Sequence, residues 1–200
     1  VNDLLHIEPE KVDIKDPDEK AARSLKGKAA VVAGAIAVLL ACFQLYTAYA
    51  GAFPDLIQRS VHIGLAMVLG FMMYSAWDRS PNDRLSVPDL LLAILGAVVC
   101  TYAAINYDRI VMNPGISNPV DLIFGVIATL LVIEMTRRIL GWILPFIAIL
   151  TVIYAYVGPY LPDTFAHRGF STEYILETLY MSTSGIWGNV TGVSATIMAG

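Results

Sequence analysis

The chain has 200 residues, of which 56% are hydrophobic and only 15% charged, with a formal net charge of −4. Soluble domains carry roughly 25% charged residues, so this balance excludes an ordinary water-soluble domain. The lack of a basic stripe excludes a nucleic-acid binder, and the two cysteines, Cys42 and Cys100, make neither a disulfide framework nor a metal set.

Residues 1–28 form a polar leader in which Asp3, Glu8, Glu10, Asp13, Asp16, Asp18 and Glu19 alternate with lysines. It lacks the apolar core of a signal peptide, so the first apolar run is expected to be a retained span. A helix crossing a bilayer needs about 20 apolar residues. Residues 29–53 meet this without a single charge and are closed by Pro54; residues 61–77 follow between Arg59 and Asp78. The third run, 90–107, lies between Asp89 and Asp108, and the fourth, 122–133, continues into VIEMTRRILGW at 132–142. The fifth is 139–160.

Residues 120–161 cannot be one helix, because at 1.5 Å per residue they would reach about 63 Å, twice the roughly 30 Å hydrocarbon core. The division that avoids burying charge falls in TRRILG, since one mid-bilayer arginine costs at least about 2.5 to 3.5 kcal/mol. Glu134, Arg137 and Arg138 are therefore predicted to be structural charges at a membrane border, in the turn between spans four and five. Glu134 stands three and four residues before the arginines and can reach either one along a helix.

Loops on the leader's side hold Lys11, Lys15, Lys20, Arg23, Lys26, Lys28, Arg79, Arg84, Arg137 and Arg138; the opposite side holds Arg59, Arg109 and Arg168. That bias predicts a cytoplasmic N-terminus. After the polar stretch PDTFAHRGF, Ser171 is an N-cap candidate for an amphipathic segment carrying Glu173 and Glu177 on its polar face. GNVTGVSATIMAG then begins a further apolar run. The expected fold is an all-α integral membrane bundle of about five spans, with an interfacial amphipathic helix and an incomplete sixth span.

Catalytic chemistry is not evident. The middles of the runs carry no Asp, Glu, Lys, Arg or His; His62 falls one residue inside the second run, and no Ser or Cys has a plausible partner base. No metal-binding, phosphate-cradling or dinucleotide motif occurs, so neither an enzyme nor a resident cofactor is expected.

FQLYTA at 43–48, QRSVHIG at 58–64, NYDRIV at 106–111, IEMTRRILGWILPFIAI at 133–149, YVGPYLPDTFAHRGFSTE at 156–173 and GVSAT at 192–196 carry a resemblance. Together they resemble the N-terminal region of fused permeases of tripartite ATP-independent periplasmic (TRAP) transporters, nearest the type served by TAXI binding proteins. The likeness runs from about Phe43 to the end.

The resemblance implies a permease of the cell inner membrane that takes up a small organic solute, delivered by a periplasmic binding protein and driven by a cation gradient, usually sodium. Residues 29–138 would be the four-span scaffold part, and 139–200 the start of the large transport part. The chain would then continue past Gly200, and the sites for solute and coupling ion would lie in that remainder. The expected partners are the TAXI-type binding protein, membrane lipid and the rest of the permease. Contacts for the binding protein are expected among Asp55, Arg59, Asp108, Arg109, Asp163, His167, Arg168, Glu173 and Glu177 on the outer loops. The alternative is a structural or assembly subunit of a larger membrane complex, without a transport path of its own.

Overall fold

The computed structural model describes residues 22–77, 84–162 and 164–197. Most of the leader lies outside them, as do Asp78, Arg79 and the candidate contact Asp163.

The described residues form eight α-helices: α1 (Gly27–Ala50), α2 (Asp55–Met73), α3 (Val87–Ile105), α4 (Tyr107–Met112), α5 (Pro119–Leu140), α6 (Ile143–Val157), α7 (Thr172–Tyr180) and α8 (Asn189–Ile197). A 3₁₀ turn, Gly158–Tyr160, extends α6. Five helical stretches are long and apolar enough to cross a membrane: 27–50, 55–73, 87–105, 119–140 and 143–160. Apolar runs of this length become helices in lipid because only a helix satisfies its backbone polar groups internally. The chain is thus an all-α, multi-pass membrane bundle.

The helix ends follow local chemistry. At the start of α5, Asn118 and Asp121 form a reciprocal capping box with Pro119 in the first turn. Its other end stops at Gly141, whose φ of 76° ordinary residues rarely adopt. The fourth span therefore runs straight through Glu134, Arg137 and Arg138, and the turn lies after them, at Gly141–Trp142. The second span starts six residues before the apolar run at 61–77, because Asp55 follows Pro54 and serves the first turn. His62 accordingly sits two turns inside α2 rather than at its edge.

Helices α2 and α3 form the centre; α1, α5 and α8 pack on them, α6 and α7 on α5. Phe71, Val99, Ala103, Tyr180 and Trp187 are buried in the core between them. Ser171 caps α7 as expected, its Oγ accepting from the Tyr174 N–H at 3.2 Å. The apolar side of α7 is propped on α5, where Gly125 leaves room for Leu176 and Tyr180. The Tyr180 hydroxyl then donates to the Val99 carbonyl of α3 at 2.7 Å.

The up-and-down path creates two faces. The leader face collects Arg23, the end of α2, the start of α3 and the end of α5; the far face collects the end of α1, the start of α2, α4, the start of α5 and α7.

Candidate functional site

Polar side chains gather in three places. On the leader face, Arg138 Nη1 donates to Asp89 Oδ1 at 2.7 Å and to the Tyr74 carbonyl at 2.9 Å, while its Nε donates to Glu134 Oε1 at 2.8 Å. Arg23 Nη2 donates to the other Asp89 oxygen at 2.6 Å, and Ser86 Oγ donates to it as well. Arg137 grips Glu134 with Nε and Nη2, both at 2.8 Å, and reaches the Ala76 carbonyl at 3.2 Å. The Arg138 guanidinium lies 5.0 Å from the Phe71 ring centre, and that of Arg137 lies 5.4 Å from the ring of Trp142.

Glu134, Arg137 and Arg138 form one group near the leader face, and within it the Arg138 side chain is 1% exposed, as is that of Asp89. A charge this deep survives because two carboxylates and a carbonyl replace its water. Asp89 read in sequence only as the edge of a span. Forty-nine residues separate it from Arg138, and no local pattern announces such a pairing.

On the far face, Arg109 of α4 holds Asp121 through two bonds, Nη1 to Oδ2 at 2.8 Å and Nη2 to Oδ1 at 2.5 Å. The Tyr102 hydroxyl donates to the same carboxylate at 2.8 Å, and the Asn118 N–H donates at 2.8 Å. The carboxylate beside it raises Arg109 above its already high pKa, chiefly through these hydrogen bonds. The bidentate fork is the strongest form of this contact. Ends of α3, α4 and α5 are thereby tied to one anion.

The third cluster joins α1, α2 and α8. Gln44 Nε2 bonds His62 Nδ1, and His62 Nε2 stands 3.1 Å from Ser194 Oγ. A Ser and a His thus meet across 132 residues, contrary to the expectation that no such pair exists. His62 joins α1 and α8 through its two ring nitrogens, one towards Gln44 and one towards Ser194. Nearby, Arg59 Nη1 donates to the Trp187 carbonyl at 2.7 Å and Nη2 to Asp55 at 2.6 Å, while Gln58 Nε2 donates to the Ala195 carbonyl at 3.4 Å.

The outer-loop candidates divide accordingly. Arg59 and Arg109 are anchored within the bundle. His167 closes the end of α6, its Nε2 bonding the Tyr154 carbonyl at 3.0 Å and its Nδ1 accepting from the Gly169 N–H at 3.1 Å. Asp108, Arg168 and Glu173 face outward, exposed. Among the described residues no three of His, Cys, Asp and Glu cluster as a metal set.

The fold and the clusters define a multi-pass helical membrane protein whose charges fasten helices to one another. Comparison with models of known families, with curated proteins and with solved structures finds no significant match.

Proposed function

We propose that the chain is the scaffold-containing N-terminal part of a TRAP-type permease of the cell inner membrane. It lies with its leader face cytoplasmic and works with a TAXI-type periplasmic binding protein. The complete permease takes up a small organic solute by symport, with sodium as the coupling ion. The single observation that carries this reading is where the resembling stretches fall. QRSVHIG supplies Gln58, Arg59 and His62, NYDRIV supplies Arg109, IEMTRRILGW supplies the Glu134 group, and GVSAT supplies Ser194. These are the residues that hold the bundle together, so the resemblance rests on structural fasteners and not on generic apolar sequence. The basic residues support the orientation: Arg23, Lys26, Lys28, Arg84, Arg137 and Arg138 fall at the leader face, against Arg59, Arg109 and Arg168 at the other.

In this reading the chain itself performs no chemistry. It gives a rigid base to the transport part, and the exposed trio Asp108, Arg168 and Glu173 offers the binding protein its polar footing. The decisive experiment is uptake into proteoliposomes by the permease containing this chain. Accumulation that requires both an imposed sodium gradient and the binding protein supports the reading, and accumulation indifferent to both overturns it. A reporter fused after Leu161 is expected to be active only outside the cytoplasm.

An assembly subunit is the second reading, and one observation favours it: all three polar clusters fasten helices together. Membrane complexes that assemble with this chain but show no solute flux would select it.

A further inference from the structure

Helix α1 buries side chains of its own at one end only; just before its other end Arg23 is tied to Asp89 and to the Met73 carbonyl. The helix's two buried residues, Gln44 and Thr47, lie in its last two turns, beside His62 and α8. Towards the leader face the helix stands away from α3, and a trough opens between them with α2 as its floor. Two cavities make up this trough. One, of about 340 Å³, is lined by Lys28, Val32 and Ile36 of α1 and by Leu90 and Ile94 of α3. The other, of about 280 Å³, continues it past Leu39 and Phe43 to Ala104. Val68 and Ala97 line both, so the two adjoin along the helix.

The trough follows α1 from Lys28 to Phe43, about 22 Å at 1.5 Å per residue, and lies along the hydrocarbon layer. Its walls are almost wholly apolar, so water gains nothing there. A helix with its side chains is about 10 Å across and over that length would fill more than twice the two volumes together. A single hydrocarbon chain is the shape that fits. At the leader-face mouth the wall ends in Lys28, exposed, and the first turn of α1 carries no acidic residue to neutralise it. A cation at headgroup level above an acyl-shaped groove is complementary to a phosphate ester carrying a hydrocarbon tail.

We propose that this trough binds one acyl chain of an anionic phospholipid from the leaflet on the leader side, with its phosphate held at Lys28. The lipid fills the gap that α1 leaves open and so completes the packing of α1 on α2 and α3. The proposal rests on the membrane fold alone and stands or falls independently of the transport reading.

The test is electron spin resonance on the chain reconstituted in phosphatidylcholine vesicles containing traces of chain-labelled phosphatidylglycerol or phosphatidylcholine. An immobilised pool in excess for phosphatidylglycerol is expected. Ala97→Phe, which puts a ring where the two cavities join, is expected to lower that pool by about half or more. Lys28→Gln is expected to cut the preference for phosphatidylglycerol about fivefold, the effect of one lysine near an anionic surface. Ile153→Phe, on an exposed side of α6, is expected to change neither. Equal immobilisation of both lipids in the unmodified chain overturns the proposal, as does a pool indifferent to Ala97→Phe. Should Ala97→Phe lose helicity by circular dichroism, Lys28→Gln decides alone. Efficient self-cross-linking through Val32→Cys, in a Cys42→Ser background, would show a second copy in the trough and likewise overturn it.

Discussion

Arg138 near the end of α5 and Asp89 at the start of α3 meet at 2.7 Å with both side chains 1% exposed, and Asp89 holds Arg23 on its other oxygen. Three separate segments of the chain thus converge on one carboxylate. Its removal takes from two buried guanidinium groups the carboxylate they share. Asp89→Asn is therefore expected to cost about 3 to 5 kcal/mol, the usual penalty for breaking a buried pair from one side. Replacing the pair together, Asp89→Leu with Arg138→Met, is expected to cost less than Asp89→Asn. Unfolding of the detergent-solubilised protein measures both, and a double variant worse than the single one would contradict the account.

The neighbouring arginines differ although they share Glu134. Arg137 is 16% exposed and Arg138 only 1%. Water can replace what Arg137 loses, so Arg137→Ala is expected to cost about 1 kcal/mol or less. Arg138→Ala leaves Asp89 buried and one ion pair short, and about 3 kcal/mol or more is expected. Thermal midpoints of the two variants in the same detergent give the comparison; equal shifts would mean that burial is not the deciding factor.

Arg109 joins α4 to Asp121, so a docking experiment on it is confounded by folding. Arg109→Ala is expected to lower the thermal midpoint, whereas Arg168→Glu, at an exposed loop position, is expected to leave it unchanged. If these outer loops receive a binding protein, Arg168→Glu weakens docking at constant stability. Measuring binding and melting on the same preparations separates the two effects.

Gly158 and His167 are matched in shape, since a Cβ at Gly158 would lie 2.2 Å from the imidazole. Gly158→Ala should therefore expel the ring, freeing the Tyr154 carbonyl and loosening the loop that follows α6. Limited proteolysis between residues 161 and 171 is expected to accelerate. In the double variant Gly158→Ala, His167→Ala the clash is gone, so its rate should not exceed that of His167→Ala alone. A rate equal to the sum of both single effects would show that the two residues do not interact.

His62 ties α1 to α8 through Gln44 and Ser194, and its loss leaves the buried Gln44 amide without this partner, whereas Ser194 is exposed and can turn to water. His62→Phe is expected to cost about 1 to 3 kcal/mol per group left unpaired. Ser194→Ala, which orphans only one ring nitrogen, should cost less. Stability assays in detergent rank the two, and the reverse order would refute this hydrogen-bond assignment.

The spans themselves were legible because hydrophobicity accumulates along a continuous stretch, and bilayer thickness sets its length. Their ends were less so. The apolar run at 61–77 places the second span too late, since α2 begins with Asp55, which pairs with Arg59, and with Gln58 and Arg59, whose distant partners lie at Ala195 and Trp187. Polar helical turns of that kind look like loop until the distant partner is known. In the same way TRRILG reads as a turn, although its arginines are helical and only Gly141 breaks the chain.

By itself the sequence determined the class: five apolar helices, alternating in direction, with a charged group where the fourth meets the fifth. These depend on local quantities, namely hydropathy, charge placement and residues such as Gly141 that end a helix. Tertiary structure alone decided that Arg138 is buried against Asp89, that Arg109 serves Asp121, that Ser194 meets His62, and that α1 leaves a trough beside α3. Each brings together side chains from separate segments, and the free energy of a buried charge or hydroxyl depends on the partner that replaces its water. That partner is chosen by packing, which leaves no periodic trace along the chain.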